Sequence, residues 1–171
     1  MKKLLPLFLV LSLSTALAVD MKGKIGMGVG WTTGGFKTSF APDYAITKFG
    51  LDEDIVLEPV FHFFFSSISN GTKTSYYEVD ITMLLAYALM AHKKTNLYAK
   101  AGINLGLVKT PKTTSFGIPF GLGLEHFLSD HFAVNLNAGM GFGYTSVSGG
   151  GKQLSFTLSN SLINAGLVWY Y

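Results

Sequence analysis

Four histidines, at positions 62, 92, 126 and 131, are the first candidates for chemistry in this chain. Imidazole titrates near neutral pH and ligates metals. None of the four has a partner at ligand spacing on the same face, so no metal site is expected. Glu125-His126-Phe127-Leu128-Ser129 gathers carboxyl, imidazole and hydroxyl in a short stretch, the group types that nucleophilic hydrolysis uses. The glycines of GMGVG (26–30), GLG (121–123) and GMGFG (139–143) suggest a phosphate cradle. They recur at every second residue inside extended segments, however, whereas a dinucleotide loop turns at once into a helix. They are read as packing residues, and no cofactor is expected.

The elements that must carry these groups follow from composition and period. Of the 171 residues 49 % are hydrophobic and only 13 % charged, with no Cys and no Arg. Soluble domains carry about 25 % charged residues. Lys2-Lys3, the apolar run Leu4 to Thr15 and the small-x-small site Ala16-Leu17-Ala18 read as a cleavable signal peptide over 1–18. The mature domain then spans 19–171 and begins at Val19. Without the two signal lysines the formal charge of +3 falls to about +1, which argues for no nucleic-acid partner. Absence of Cys excludes a disulfide framework and thiolate metal sites.

From residue 24 onward the apolar residues alternate. Ile25, Met27, Val29 and Trp31 interleave with Gly and Thr, and Val79, Ile81, Met83, Leu85 and Tyr87 interleave with Glu78, Asp80, Thr82 and Ala86. LYAKAGINLGL (97–107) and FAVNLNAGMGFGY (132–144) repeat the pattern. These are strands, predicted over 24–33, 44–51, 55–66, 77–90, 97–108, 116–127, 132–144 and 155–171. Short turns are predicted at 52–54, 92–96 and 128–131. Longer loops fall at 34–43, 67–76, 109–115 and 145–154, with Asn70-Gly71 as a hairpin signal. Strand two alternates poorly. Strand eight changes phase, which predicts a bulge near Ser159–Ser161. Pro59 and Pro119 cannot donate to a ladder, so each predicts a bulge or local break.

The face opposite the apolar one is built of Gly, Asn, Thr and scattered charge, too small to coat a soluble barrel but suited to a narrow lumen. The fold class is therefore all-β: an eight-stranded antiparallel up-and-down transmembrane β-barrel. Glu58, Glu78, Asp80, Lys100 and Glu125, with His62, Asn104, Asn135 and Asn137, fall on the lumen phase. Ionisable groups at membrane depth face the interior and pair. They read as a polar plug, since eight strands leave an interior barely wide enough for side chains; a gate in a small solute path is the alternative. A hairpin midpoint near residue 112 places Lys100 opposite Glu125. On the other phase, Trp169 and Tyr171 face outward as interface aromatics.

LEPVFHFFF (57–65), LYAKAGINLGL, GLGLEHFLSDHFAVNLNAGMGFGY (121–144) and the terminal AGLVWYY resemble the small OmpA/OmpX-type outer-membrane β-barrel proteins across the mature chain. The resemblance implies a monomer in the bacterial outer membrane. Its terminal aromatic strand would be read by the barrel-assembly machinery, although family members mostly end in Phe where this chain has Tyr171. It also implies outer-membrane lipids as partners. The loop lysines Lys37, Lys73, Lys109, Lys112 and Lys152 outnumber the single loop acid Asp43 and suit lipopolysaccharide phosphates as point charges, with solvated loop charge as the alternative. The segment 125–129 is similar to the residue sets of outer-membrane lipid A deacylases, but it departs from their His-x-Ser spacing. It also lies beside a periplasmic turn, whereas lipid A occupies the outer leaflet. The expected role is non-enzymatic: membrane integrity or surface interaction through the outer loops. A lipid A-modifying enzyme is the remaining alternative.

Overall fold

The structure, a computed structural model, describes residues 19–32, 44–70, 72–92, 94–109, 112–157 and 164–171, with the side chains of 32, 64–70, 72–76 and 157 left aside. The predicted signal peptide, Lys37, the 34–43 loop and the bulge expected at Ser159–Ser161 lie outside the described residues.

Period-two sequence becomes strand throughout. The elements are β1 (Ile25–Thr32), β2 (Tyr44–Gly50), β3 (Ile55–Asn70), β4 (Thr72–His92), β5 (Thr95–Val108), β6 (Thr113–Phe127), β7 (Phe132–Val147), β8 (Lys152–Thr157) and β9 (Asn164–Tyr170). Each pairs antiparallel with its neighbour in an up-and-down meander. β8 and β9 both pair with β7, at its two ends, and so occupy one strand position in the wall. Pairing of β9 with β1 closes the sheet. Among the described residues the wall is thus an eight-stranded antiparallel barrel without helices. Closure leaves no unpaired edge to template aggregation.

Alternation decides the two faces. Leu105, Leu107, Phe63, Phe142, Ile118 and Trp169 are among the large apolar residues exposed on the outside. Inside, Lys48, Glu58, Lys100 and Glu125 are each at most 2 % exposed. The last strand reverses its parity as its phase change requires. Phe156 and Trp169 both face outward, although Phe156 is an even position and Trp169 an odd one. The registers bracketing the gap agree: Gly141↔Thr157 and Asn137↔Asn164 set a longer stretch of β8 and β9 against a shorter one of β7.

Two expectations need correction. Segments 67–70, 72–76, 113–115 and 145–147, read as loop, belong to strands. The β3–β4 ladder runs without a shift to Asn70↔Thr72, because the Thr-, Ser- and Tyr-rich flanks of the Asn70-Gly71 signal are good strand formers. The local breaks expected at the prolines are present, and neither adds a residue. β2–β3 pairing skips from Ile46↔Val60 to Phe49↔Leu57, and β5–β6 pairing from Ala101↔Phe120 to Asn104↔Gly117, each in unchanged register. On the opposite side Pro59 still pairs with Met83 and Pro119 with Gly141. The one register shift within the β4–β5 ladder falls between Ala88 and Met90, where no sequence signal pointed.

The second correction concerns Lys100 and Glu125. The β5–β6 ladder closes at Val108↔Thr113, so Lys100 lies opposite Gly121 and Glu125 opposite Asn96. The midpoint near 112 failed because Thr113 and Thr114 already pair with Val108 and Leu107.

Candidate functional site

The lumen is filled from the termini end upward. Its lowest layer is apolar and aromatic, with Met21, Tyr98, Phe127 and Tyr170 all buried. The Phe127 and Tyr170 rings pack with centroids 5.3 Å apart. Above them four ionisable side chains from four strands alternate in sign. Lys100 Nζ donates to both oxygens of Glu58, at 2.8 and 2.7 Å. Lys48 Nζ lies 3.3 Å from Glu58 Oε2 and 2.7 Å from Glu125 Oε1. The Tyr170 hydroxyl donates to the same Glu125 oxygen at 2.8 Å. The result is a chain, Lys100–Glu58–Lys48–Glu125–Tyr170, that crosses the interior with balanced charge. Buried charges without such partners would each cost several kcal/mol.

An amide layer adjoins it. Asn137 Nδ2 donates to Asn135 Oδ1, and to Asn164 Oδ1 at 2.6 Å. The Tyr44 hydroxyl donates to Asn164 Oδ1 and to the Ala165 carbonyl, both at 3.0 Å. Glycines make the room. A Cβ at Gly26 would meet the Tyr170 ring at 2.7 Å, one at Gly30 would clash with the Tyr44 hydroxyl, and one at Gly123 with the Lys100 stem. Gly26, Gly30 and Gly123 are thus seats for large inward side chains on adjacent strands, whereas Gly28, Gly121 and Gly141 lie against neighbouring backbone.

Nearer the loop end, His62 and Asp80 face each other across the β3–β4 ladder, with Nδ1 3.4 Å from Oδ2. Glu78 stands two residues along β4 on the same face. All six lumen candidates (Lys100, Glu125, Glu58, Glu78, Asp80 and His62) therefore point inward, but in two groups: a deep network and a shallower trio. The rule that no histidine has a same-face partner at ligand spacing fails for His62. Its partner comes from the neighbouring strand, where sequence spacing does not look.

Lys48 and Tyr170 are network members that the sequence reading missed. In β2 the inward residues are Tyr44, Ile46 and Lys48, while Ala45 and Phe49 face out. Apolar residues on both faces erased the alternation. The available signal was register: Lys48 falls opposite the Glu58 region when the short turn at 51–54 is folded.

Glu125-His126-Phe127-Leu128-Ser129 does not converge on one site. Glu125 is wholly buried inside, whereas His126 faces outward and its Nδ1 contacts Thr95 Oγ1 at 2.8 Å. Alternation sends adjacent residues to opposite sides of the wall. Of the loop lysines, Lys109, Lys112 and Lys152 are exposed, and Lys109 Nζ lies 5.0 Å from the Tyr77 ring centroid.

Closed meander, apolar exterior and charge-filled interior together define a small eight-stranded β-barrel of the OmpA/OmpX architecture. The chain belongs to the family described as "Domain of unknown function (DUF2715)", which matches residues 10–165. No curated protein sequence matches it. Similar solved structures include the outer membrane protein Ail of Yersinia pestis in a phospholipid bilayer nanodisc, at 12 % identity and TM-score 0.48, covering 88 % of this chain and 100 % of that one. The outer membrane protein OprG from Pseudomonas aeruginosa shows 14 % identity and TM-score 0.48 over 89 % of this chain and 93 % of its own. A crystal structure of Ail gives 11 % identity and TM-score 0.42, covering 88 % and 95 %.

Proposed function

We propose that this chain is a monomeric integral protein of the bacterial outer membrane, with its lumen plugged and no enzymatic activity. Its role is membrane integrity or surface interaction through the outer loops, whose exposed lysines suit lipopolysaccharide phosphates. The observation that carries this reading is the pairing of two opposite surfaces in one wall. A band of exposed Leu, Ile, Phe and Met encloses an interior whose four central charges are paired and buried. Water outside and lipid inside would invert both costs. The three short turns and residues 19 and 171 share one end, an arrangement that supports a periplasmic position for that end and engagement of the barrel-assembly machinery at β9.

A small pore is the second reading, favoured by one observation. Asn96 Oδ1, Glu125 Oε2, Asn135 Nδ2 and Asn137 Oδ1 are buried but make no hydrogen bond to protein. Polar atoms in that state suit lumen water, and enough water would make a path. Conductance in planar bilayers decides between the two. The purified barrel should produce no stable current steps; sustained unitary steps would make it a pore. Cells expressing the protein should also carry it in outer-membrane fractions, with unheated samples running faster than boiled ones in detergent gels. Recovery as a soluble periplasmic protein would end the membrane reading. An unaltered lipid A mass spectrum is expected from the same cells.

A further inference from the structure

We propose that His62, Glu78 and Asp80 form a binding site for one divalent transition-metal ion at the loop end of the lumen. The site is distinct from the deep charge network. Along β3, His62 lies four residues beyond Glu58, about 13 Å at strand rise. It is also open where the network is sealed: the His62 and Asp80 side chains are 19 % and 25 % exposed.

Geometry supports one shared ion. A ring nitrogen of His62 and one oxygen from each carboxylate all lie within 4.8 Å of one another. Ligands about 2.1 Å from a metal stand about 3.0–3.4 Å apart in octahedral or tetrahedral arrangement. Small rotamer adjustments of these partly exposed side chains close that difference. The ladder supplies the preorganisation, since Asp80 is fixed directly opposite His62 and Glu78 follows on the same face of β4. Behind Asp80, β5 offers Gly106, where any Cβ would clash with the Asp80 carboxylate and with Ser115 Oγ. A glycine here lets the carboxylate lie against the wall without blocking the space before it.

Electrostatics point the same way. The two carboxylates bring two negative charges to one face, the charge a divalent cation would balance. Imidazole with two carboxylates selects borderline first-row ions, because purely hard ions prefer all-oxygen sets. A simple His62–Asp80 ion pair is the competing explanation. It needs no metal and predicts no gain in affinity from His62.

Titration calorimetry of Zn²⁺ against the refolded full mature barrel in detergent tests the site. One ion per barrel should bind. His62→Ala and Asp80→Asn should each weaken it by at least about tenfold, since loss of a ligand costs no less than loss of its supporting partner. His126→Ala with His131→Ala removes two exposed imidazoles elsewhere and should change nothing. Faster migration before heating confirms that each variant is folded, and Glu78→Gln replaces Asp80→Asn if the latter does not refold. Unchanged Zn²⁺ affinity in His62→Ala overturns the site, as does loss of binding in the His126 and His131 control alone. Conductance plays no part in this test, so the site stands or falls apart from the closed-lumen reading.

Discussion

Lys48→Met is expected to be the most damaging single substitution in the lumen. Lys48 stands at the centre of the alternating chain, between Glu58 and Glu125. Its loss leaves Glu58 with Lys100, but Glu125 retains only the Tyr170 hydroxyl among the contacts described. Stranding a buried charge costs about 3–5 kcal/mol. For a chain of this length that lowers the thermal midpoint of the folded barrel by roughly 6–20 °C, at about 2–4 °C per kcal/mol. Lys100→Met should be milder, because Glu58 keeps Lys48 at 3.3 Å. The decisive variant is Lys48→Met with Glu125→Gln. It removes one charge of each sign and preserves the close Lys100–Glu58 pair, so it should recover more than half of the loss. Heating curves of the four proteins in one detergent provide the cycle. Strictly additive effects would show that Lys48 and Glu125 do not act as a pair.

The unequal legibility of wall and lumen has a physical basis. Alternation is local: each of Val79, Ile81, Met83 and Leu85 announces its facing from its immediate neighbours. Strand number, meander order and facing were therefore readable before any contact was known. Pairing across the lumen depends on register, and register depends on where a hairpin turns. A small error at 109–115 moved Glu125 from Asn96 to Lys100, and the predicted partners changed with it. Both residues belong to the same network, but Lys48 bridges Glu125 to Glu58, the true partner of Lys100. Lys48 was hidden because β2 carries apolar residues on both faces, so its inward phase had no contrast. The His62 trio was hidden differently. Its ligands converge from two strands, and spacing rules written for single helices or loops cannot register that. The proline breaks were legible because a missing N–H is a property of the residue itself.

Deleting Trp169 to Tyr171 should abolish assembly, and the reasons divide between backbone and side chain. Tyr170 N–H donates to the His131 carbonyl at 2.7 Å, and Tyr171 N–H to the Ile25 carbonyl at 3.0 Å. These bonds tie the last strand to the chain before β7 and to β1 at the seam where the barrel closes. Trp169 packs outward on Phe132 and His131, with centroids 6.1 and 6.3 Å apart. Tyr170 points the other way, into the lumen floor and onto Glu125. Truncation therefore removes part of the closing ladder, an interface aromatic and a network partner together, and an open seam in lipid leaves backbone groups unsatisfied. Two point variants separate these contributions. Tyr170→Phe keeps the ladder and the ring but loses the hydroxyl donated to Glu125; it should assemble fully and lose about 1–3 kcal/mol of stability. Trp169→Ala with Tyr171→Ala keeps the ladder and the network but removes both outward aromatics. If the outward aromatics are what the assembly machinery reads, this double variant should accumulate unfolded precursor in cells yet refold from urea into detergent in vitro. Folded yield in cells equal to that of the unaltered chain would assign the whole truncation defect to the lost seam.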